Sequence, residues 1–340
     1  MQMNQRWYRV FFTPSVRKDR GRFFVERRDI MIVNPMDVLK QFPIRKNKKQ
    51  KQVFRDAVES YAESLGYPVT IEKRRFSASN VVIGNPETAK YLITAHYDTP
   101  AALPVPNLIT PCNLFTFILY QFVIVGLFVI AAIIPGVLVG VLLNDPELAK
   151  LFSLTLYWVL LVMMLVGPAN KSNANDNTSG VVTVLETARS LPAELRERVC
   201  FVLFDLEEAG LIGSASYVSA HKKQIKEQIV LNCDCVGDGD ELMLFPNKKT
   251  KQDAPQMDAL RSICGEGEGK SLALREKGFA YYPSDQKNFS FGVGIAAFRR
   301  SKWAGLYCSR IHTKKDTVLD EKNVSFLRDR LIQLIGSAAQ

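Results

Sequence analysis

The stretch Asn173-Ala-Asn-Asp-Asn-Thr-Ser-Gly180 places an acid, Asp176, in a polar, turn-prone run directly before a predicted helix at 181–191. An acid at the start of a helix gains from the exposed N–H groups and from the helix dipole, so Asp176 alone could be a simple helix cap. Its companions elsewhere in the chain favour a second role. These companions are His96, Asp98, Glu207, Glu208, Asp234, Asp285 and His312.

Around this stretch, short apolar runs alternate with segments of helical periodicity. The predicted strands are 69–76, 80–83, 91–95, 198–204, 228–233, 241–245 and 294–299, and the predicted helices are 52–65, 181–191, 213–221, 253–264 and 321–335. Several of these strands are apolar throughout, which is typical of strands buried on both faces. The pattern predicts an α/β fold, a three-layer sandwich with a mostly parallel central sheet.

Two long apolar segments interrupt this pattern. Residues 114–143 and 151–167 carry no formal charge, and a short polar loop at 144–150 joins them. A membrane-spanning helix needs about 20 apolar residues, and Pro135-Gly136 is expected to kink or end the first helix. We expect a transmembrane hairpin with spans at roughly 114–134 and 151–168, and with 136–143 extending or capping the first span. An apolar lid or a dimer interface is the alternative.

The expected organisation therefore has three parts. A basic N-terminal segment covers residues 1–50, the α/β domain comprises 51–104 and 169–340, and the hairpin insertion is 105–168. Residues 1–90 hold 19 Lys and Arg against 9 Asp and Glu, which accounts for the whole net charge of +10. An anionic membrane surface is one possible partner for such a segment, and a solvated face is the commonest explanation. We expect no nucleic acid as a partner.

The cysteines and the N-terminus bear on localisation. None of the six cysteines forms a C-x-x-C pair, and Cys200, Cys233 and Cys308 lie in or beside predicted strands, so buried free thiols are expected. Free thiols favour a reducing compartment. The first residues have no apolar core of a signal peptide. We therefore expect a membrane protein with two spans and its catalytic domain in the cytoplasm. His221, beside Lys222 and Lys223, is expected to be solvated.

The acids and two of the three histidines follow predicted strands. Parallel α/β sheets place their sites at the carboxyl ends of the strands. Mixed histidine and carboxylate ligands suit a borderline divalent ion such as Zn²⁺. Their number exceeds the need of one tetrahedral ion and fits a pair with a bridging carboxylate. With adjacent glutamates, one can bind metal while the other serves as a general base.

The ordered set resembles the co-catalytic di-zinc aminopeptidases, the family of bacterial leucyl aminopeptidase and aminopeptidase Y that also contains the glutaminyl cyclases. The matching motifs are His96-x-Asp98, Asn175-Asp-Asn-Thr-Ser-Gly180, Glu207-Glu208, Asn232-x-Asp234, Ser284-Asp285 and His312-Thr-x-x-Asp-Thr317. The resemblance covers about 80–98 and 172–337, and implies a zinc exopeptidase-like fold. Gln286 stands where some relatives have histidine, so the resemblance does not define the details of the substrate pocket.

The resemblance also implies a role for each residue. Asp176 bridges two Zn²⁺ ions, for which Co or Mn could substitute. His96 and Asp234 complete the ligands of one metal, and Glu208 and His312 those of the other. Glu207 is the base that activates water, Asp98 orients His96, and Asp316 supports the His312 loop. Small buried side chains, rather than thiolate ligands, are expected for Cys233 and Cys235.

The implied activity is a membrane-anchored, zinc-dependent aminopeptidase, a hydrolase that removes N-terminal residues from peptides with a free N-terminus. The lipid bilayer is its other expected partner. Two alternatives remain open: a glutaminyl-cyclase-like acyltransferase with a single zinc, and a non-catalytic membrane scaffold on the same fold.

Overall fold

The computed structural model describes residues 31–74, 76, 78–105 and 107–337, together with two strands nearer the N-terminus. These two strands, β1 (Val16–Asp19) and β2 (Arg22–Val25), pair antiparallel as a small unit of their own. Of the predicted basic N-terminal segment, residues 1–15, 20–21 and 26–30 lie outside the described residues. A separate compact unit comprises residues 32–340.

In this larger unit, strands and helices alternate much as the sequence predicts. The strands are β3 (Val69–Lys73), β4 (Ser79–Ile83), β5 (Tyr91–His96), β6 (Val199–Phe204), β7 (Ile229–Cys233), β8 (Glu241–Pro246), β9 (Gly265–Gly267), β10 (Lys270–Leu274), β11 (Phe291–Ser301) and β12 (Gly305–Tyr307). The helices are α1 (Val38–Gln41), α2 (Lys48–Ser64), α3 (Leu114–Leu143), α4 (Pro146–Val166), α5 (Gly180–Ser190), α6 (Ile212–Ala220), α7 (Lys248–Lys251), α8 (Ala254–Ser262) and α9 (Glu321–Ser337).

One sheet of ten strands organises the described part of this unit, in the order β3-β4-β6-β5-β7-β11-β8-β10-β9, with β12 paired to β11. The four central neighbours, β6, β5, β7 and β11, run parallel. Outside this centre, β3, β4 and β8 pair antiparallel with their inner neighbours. The predicted α/β fold with a central sheet is confirmed, and its parallel part is the centre that carries the site.

Helices cover both faces of the sheet, which gives three layers. On one face, α2, α5, α8 and α9 pack over alternate strand residues such as Ile93, Phe201 and Leu231. On the other face, Tyr217 of α6 packs with the intervening residues, such as Leu92. Because both faces are covered, the central strands are buried at every position and read as continuous apolar runs.

The apolar insertion forms two antiparallel helices, but their bounds differ from the predicted ones. α3 continues through Pro135 over 30 residues, and α4 begins at Pro146 rather than at 151. Gly136 and Gly140 of α3 lie against Ser153 and Ala149 of α4, and this close contact supports the helix beyond the proline. Long apolar helices tolerate proline where a neighbouring helix packs against it.

A tight two-residue turn joins the two helices. Asn144 ends α3 with a φ of 50°, the left-handed conformation that asparagine adopts more readily than most residues. Asp145 then caps α4, because its carboxylate accepts the backbone N–H groups of Glu147 and Leu148, both at 3.0 Å. Pro146 fills the first helical position, where no N–H is needed.

The compact unit begins before the boundary expected at residue 51. The side chains of Ile32, Val38 and Phe42 are buried in the main core. Asn47 and Gln50 form a reciprocal capping box at the start of α2. Residues 32–50 are therefore part of the α/β body, although their charge made them look like a separate segment.

Candidate metal centre

The parallel centre of the sheet brings the predicted residues to one edge. In the register of β5 and β6, His96 lies beside Phe204, so the loop 205–208 starts next to this histidine. On the other side of β5, Thr94 lies beside Asn232, two residues before Asp234. The carboxyl ends of three strands thus meet at one place, as expected for a parallel α/β sheet.

Asp176 lies between the two histidines at this edge. Its Oδ1 is 3.3 Å from Nε2 of His96, and its Oδ2 is 2.9 Å from Nε2 of His312. Each carboxylate oxygen therefore faces a different histidine. A carboxylate in this position can serve two cations at once.

One further acid accompanies each histidine. The Oδ1 atom of Asp234 is 3.6 Å from Nε2 of His96, and Oε2 of Glu208 is 3.5 Å from Nε2 of His312. This gives two groups that share Asp176, the same division that the resemblance implies. The structure thus brings all five predicted metal ligands together, with Glu207 and Asp98 beside them.

Several oxygens in this cluster lack a hydrogen-bond partner. Among the described residues, Oε1 of Glu208 and Oδ1 of Asp234 are buried without one. Ligand atoms of His96, Asp176 and Glu208 lie within 4.8 Å of one another, and so do those of His96, Glu207 and Asp234. Buried, unpaired carboxylate oxygens are costly unless a cation joins them. The nitrogen and oxygen donors therefore fit one or two divalent ions of the zinc type.

Burial and the neighbouring charges shift the pKa values of these groups. Burial raises the pKa of Glu208 to about 8, with His312 partly offsetting this and Asp176 adding to it. Burial also raises the pKa of Glu207 well above its ordinary value, and the charge of Glu208 adds to the increase. For Asp176 burial acts in the same direction, but the hydrogen bonds of His312 and His96 outweigh it and lower the pKa.

Asp98 fixes the loop that carries the two glutamates. Its carboxylate accepts the backbone N–H groups of Glu207 and Glu208, at 3.0 and 3.2 Å. Toward His96 its nearest contact is the main-chain carbonyl, 3.2 Å from Nδ1, while its carboxylate Oδ1 is 3.6 Å away. Asp98 thus contacts both the histidine that it was expected to orient and the glutamate pair, a contact that the sequence did not indicate.

A second acid, Asp316, holds the chain around Asp176. Its Oδ1 accepts the N–H of Asn175 at 2.7 Å, and its Oδ2 accepts the N–H of Asp176 at 3.0 Å. Asp316 also hydrogen-bonds through its own N–H to the carbonyl of Thr313, directly after His312. This acid therefore joins the Asp176 stretch to the His312 loop.

The asparagines of the Asn-Asp-Asn motif bind the chain around Asp234. The side chain of Asn177 donates to the carbonyl of Cys233 at 3.0 Å, and that of Asn175 accepts the N–H of Gly237 at 2.7 Å. Gly180 is required by close approach, because a Cβ there would lie 2.3 Å from the carbonyl oxygen of Cys233. The motif thus positions Asp176 and also clamps the strand end beside it.

Arg45 is a residue near the site that the sequence analysis did not single out. Its side chain is fully buried and donates to the carbonyl of Phe42 at 2.6 Å and to the hydroxyl of Thr178 at 3.2 Å. Burial lowers the pKa of Arg45 to about 10, an effect that the negative charges of Asp98 and Asp176 partly offset. An arginine within a basic run looks solvated, so no sequence signal marked it.

Two further residues of the matching motifs, Gln286 and Asp285, are both buried. Gln286 is buried, accepts the side-chain N–H of Asn232 at 3.1 Å, and belongs to the packing behind the strand ends. Asp285 is also buried, and burial raises its pKa to about 7, with His96 and the Ser214 hydroxyl partly offsetting this.

The prediction of buried free cysteines is confirmed, whereas the prediction for the third histidine, His221, is wrong. All six cysteines are free, and Cys200, Cys233, Cys235 and Cys308 are buried. Burial raises the pKa of the Cys235 thiol, whose Sγ lies within 4.8 Å of carboxylate oxygens of Asp176 and Asp234. The prediction that His221 is solvated is wrong: it is partly buried, stacks on Tyr217, and lies 2.8 Å from Glu72.

Comparison with known proteins agrees with this geometry. Residues 162–328 match the sequence profile of Peptidase family M28, a range that includes Asp176, Glu207, Glu208, Asp234 and His312. Aminopeptidase YwaD of Bacillus subtilis is 29% identical over 138 residues, which cover 35% of this chain and 29% of that protein. The match thus spans less than a third of the length of this curated relative.

Among solved structures, the LapA aminopeptidase of Legionella pneumophila superposes with a TM-score of 0.53 at 14% identity, covering 89% of this chain and 70% of that one. LapB of the same organism gives 0.52 at 14% identity, covering 89% and 72%. At this identity the two structures establish a shared fold. The family profile thus matches the part of the chain that carries the cluster, and over residues 162–328 the chain is similar to Peptidase family M28.

Proposed function

We propose that the chain is a membrane-anchored, di-zinc aminopeptidase that hydrolyses the N-terminal peptide bond of its substrates. The observation that carries this proposal is the position of Asp176, with one carboxylate oxygen toward each histidine. The orphaned oxygens of Glu208 and Asp234 support it, because they provide each half of the cluster with a further ligand atom. In this proposal His96, Asp176 and Asp234 hold one ion, and His312, Asp176 and Glu208 hold the other.

Bound zinc supplies Lewis-acid polarisation of the substrate carbonyl and stabilises the negative charge that develops on its oxygen. The chain itself supplies the proton transfers. Glu207 takes a proton from the attacking water and returns it to the leaving amine. Burial raises the pKa of Glu207 above its ordinary value, which strengthens the carboxylate as a proton acceptor.

Asp98 and Asp316 keep this arrangement in place. The two backbone hydrogen bonds from Glu207 and Glu208 to Asp98 fix the glutamate pair relative to His96. Asp316 does the same for Asp176 and the His312 loop. Such supporting acids commonly affect metal affinity and activity by 10–100-fold.

Hydrolysis of aminoacyl-p-nitroanilides by the purified full chain tests the role of Glu207. Glu207→Gln keeps the size of the side chain but removes its capacity to accept the proton, so we expect a fall of at least a hundredfold in kcat. Bound zinc should be unchanged, because Glu207 is not a proposed ligand. Glu227→Gln, an exposed glutamate before β7, is the matched control. A Glu207→Gln variant as active as the parent would refute the mechanism.

The membrane anchor is proposed from the two apolar helices. α3 and α4 are apolar over a length that can span a membrane, and little of this surface of α3 and none of that of α4 is buried in the protein. Apolar surface of this extent needs a cover. At 1.5 Å per residue, each helix exceeds the roughly 30 Å of a bilayer core. We therefore infer that the lipid bilayer covers the hairpin.

The ends of the hairpin allow a clean deletion. Ala101 and Ala169 form a β-bridge, and the N–H of Ala102 donates to the carbonyl of Pro168 at 2.8 Å, so the two connections leave the body side by side. Replacing residues 114–166 by a short Gly-Ser bridge, which keeps the β-bridge of Ile109 with Cys308, should move the protein into the soluble fraction. A deleted form that still pellets with membranes would contradict the anchor.

We also propose that the catalytic body lies in the cytoplasm. The four buried, unpaired cysteines support a reducing environment for it. A reporter inserted in the turn Asn144-Asp145 tests this, because the turn should then be on the non-cytoplasmic side. A reporter that is accessible from the cytoplasm would overturn the orientation.

A further inference from the structure

A cavity separate from the proposed metal ligands lies at the base of the hairpin. It has a volume of about 850 Å³ and is lined by residues 102–105, 169–171, 309–310 and 313–315. Two of these segments are the connections into α3 and out of α4. The cavity therefore lies where the body would meet the surface of a bilayer that holds the two helices.

The lining of this cavity is strongly basic. It contains the side chains of Lys171, Arg310, Lys314 and Lys315, and no acid among the described residues that line it. The three lysines are exposed and have no ion pair within the described part of the chain. Arg310 is partly neutralised by Asp238, 3.6 Å away. The cavity thus presents three uncompensated positive charges.

The cavity also has an apolar part, and a further cation is contributed by the segment before α2. Leu103, Pro104 and Val105 provide the apolar part of the lining. Lys46, from the segment before α2, donates to the carbonyl of Leu165 in the last turn of α4 at 3.0 Å. In the sequence these cations are far apart, and only Lys171 lies close to a predicted span. Folding collects them on the body side of the hairpin.

We propose that this cavity binds the headgroup of an anionic phospholipid. The lysines suit a phosphate-bearing headgroup, and the apolar wall suits the glycerol backbone and the first carbons of the acyl chains. The inference rests on the proposed membrane anchor, since a free lipid would have no reason to meet this surface. It goes beyond that anchor because it assigns a specific lipid class to a defined site.

The competing occupant is an acidic stretch of the peptide substrate, because the cavity borders the His312 loop. The carbonyl of Thr313 accepts the side-chain N–H of Asn170 at 3.0 Å, and that of His312 accepts the N–H of Leu103 at 2.8 Å. Charge alone does not separate a lipid from a peptide here. The position between the two hairpin connections favours the lipid.

The test compares lipid binding by the purified full chain and two triple variants in detergent, measured by native mass spectrometry. The probes are phosphatidylglycerol and phosphatidylcholine with the same acyl chains. The site variant is Lys171→Gln, Lys314→Gln and Lys315→Gln. The control variant is Lys222→Gln, Lys223→Gln and Lys226→Gln, three exposed lysines before β7, at the opposite edge of the sheet.

We expect the parent and the control to prefer phosphatidylglycerol, and the site variant to bind it about a hundredfold more weakly, at roughly fivefold for each lysine near an anionic surface. Equal binding by all three proteins would overturn the proposal. So would displacement of the lipid by millimolar inorganic phosphate, or a site variant that changes only KM for acidic peptides. Failure of the parent to insert into vesicles would refute the anchor itself, a different outcome.

Discussion

At the scale of single residues, the site depends on carboxylates that each serve two partners. Asp176 faces both histidines, Asp98 accepts the N–H groups of both glutamates, and Asp316 accepts those of Asn175 and Asp176. Each acid thereby connects two segments that are distant in the sequence. Such connections explain why acids at several strand ends can form one compact cluster.

Asp98→Asn tests this reading, because an amide keeps the shape of the carboxylate but can accept only through its oxygen. One of the two N–H groups, of Glu207 or Glu208, then loses its acceptor. We expect kcat/KM to fall 10–100-fold, with weaker zinc retention during dialysis. Asp258→Asn, at an exposed acid of α8, is the control. An Asp98→Asn variant with unchanged rate and zinc content would show that Asp98 does not support the site.

The candidate site could be predicted at this scale as a set of residues but not as a set of contacts. The spacing of His96, Asp176 and Glu207 along the chain matched a known order of motifs. Which atoms meet depends on strand register and loop conformation, so the two backbone hydrogen bonds of Asp98 were not foreseen. Arg45 was missed because its burial is decided by the packing of the segment 32–50.

At the scale of elements, the close contact of α3 and α4 defines the hairpin. A Cβ added at Gly140 would lie 2.5 Å from Cβ of Ala149, and one at Gly136 would lie 2.8 Å from the Ala149 carbonyl. Small residues therefore let the two helices approach. This contact also explains why Pro135 does not end α3, a result that local propensity could not anticipate.

Gly140→Ala should force the helices apart and destabilise the hairpin by about 1–3 kcal/mol, the usual cost of overpacking. Gly126→Ala is the matched control in the same helix, because a Cβ there meets nothing within 4 Å. Thermal unfolding in detergent, followed by intrinsic fluorescence, measures the difference. Equal midpoints for the two variants would show that the helices do not pack as described.

The strands were predicted accurately only where their local sequence pattern is clear. Strands such as β5 and β6 were predicted to within one residue at their ends, because apolar runs buried on both faces are clear signals. β9 and β10 were missed, since Gly265-Glu-Gly267 and Lys270–Leu274 are short and carry glycine and charge. β10 pairs with β8 and β9 pairs with β10, and these are tertiary interactions that a local pattern does not reveal.

At the scale of the whole molecule, the body begins earlier than the charge pattern suggested. Residues 32–47 contribute Ile32, Val38 and Phe42 to the core and Arg45 to the surroundings of Asp176. Burial of the three apolar side chains contributes roughly 1.5–3 kcal/mol each, which together is comparable with the total stability of a domain. The body therefore needs this segment, whatever the residues before it do.

Truncation tests the boundary directly. Removal of residues 1–31 should leave the thermal midpoint and activity of the body within error of the full chain. Removal of residues 1–47 should abolish the cooperative unfolding transition, because the core loses the side chains of Ile32, Val38 and Phe42. If the chain that lacks residues 1–47 unfolded at the same temperature as the full chain, the body would begin near residue 50, as the charge pattern suggested.

The central claim is that the cluster around Asp176 holds two zinc ions and hydrolyses N-terminal peptide bonds. The most direct test is to strip the purified full chain with a chelator and to follow hydrolysis of a set of aminoacyl-p-nitroanilides while zinc is returned. We predict no activity in the stripped protein and recovery that is complete at two zinc ions per chain. Activity that survives stripping, or that is complete at one ion, would contradict the account.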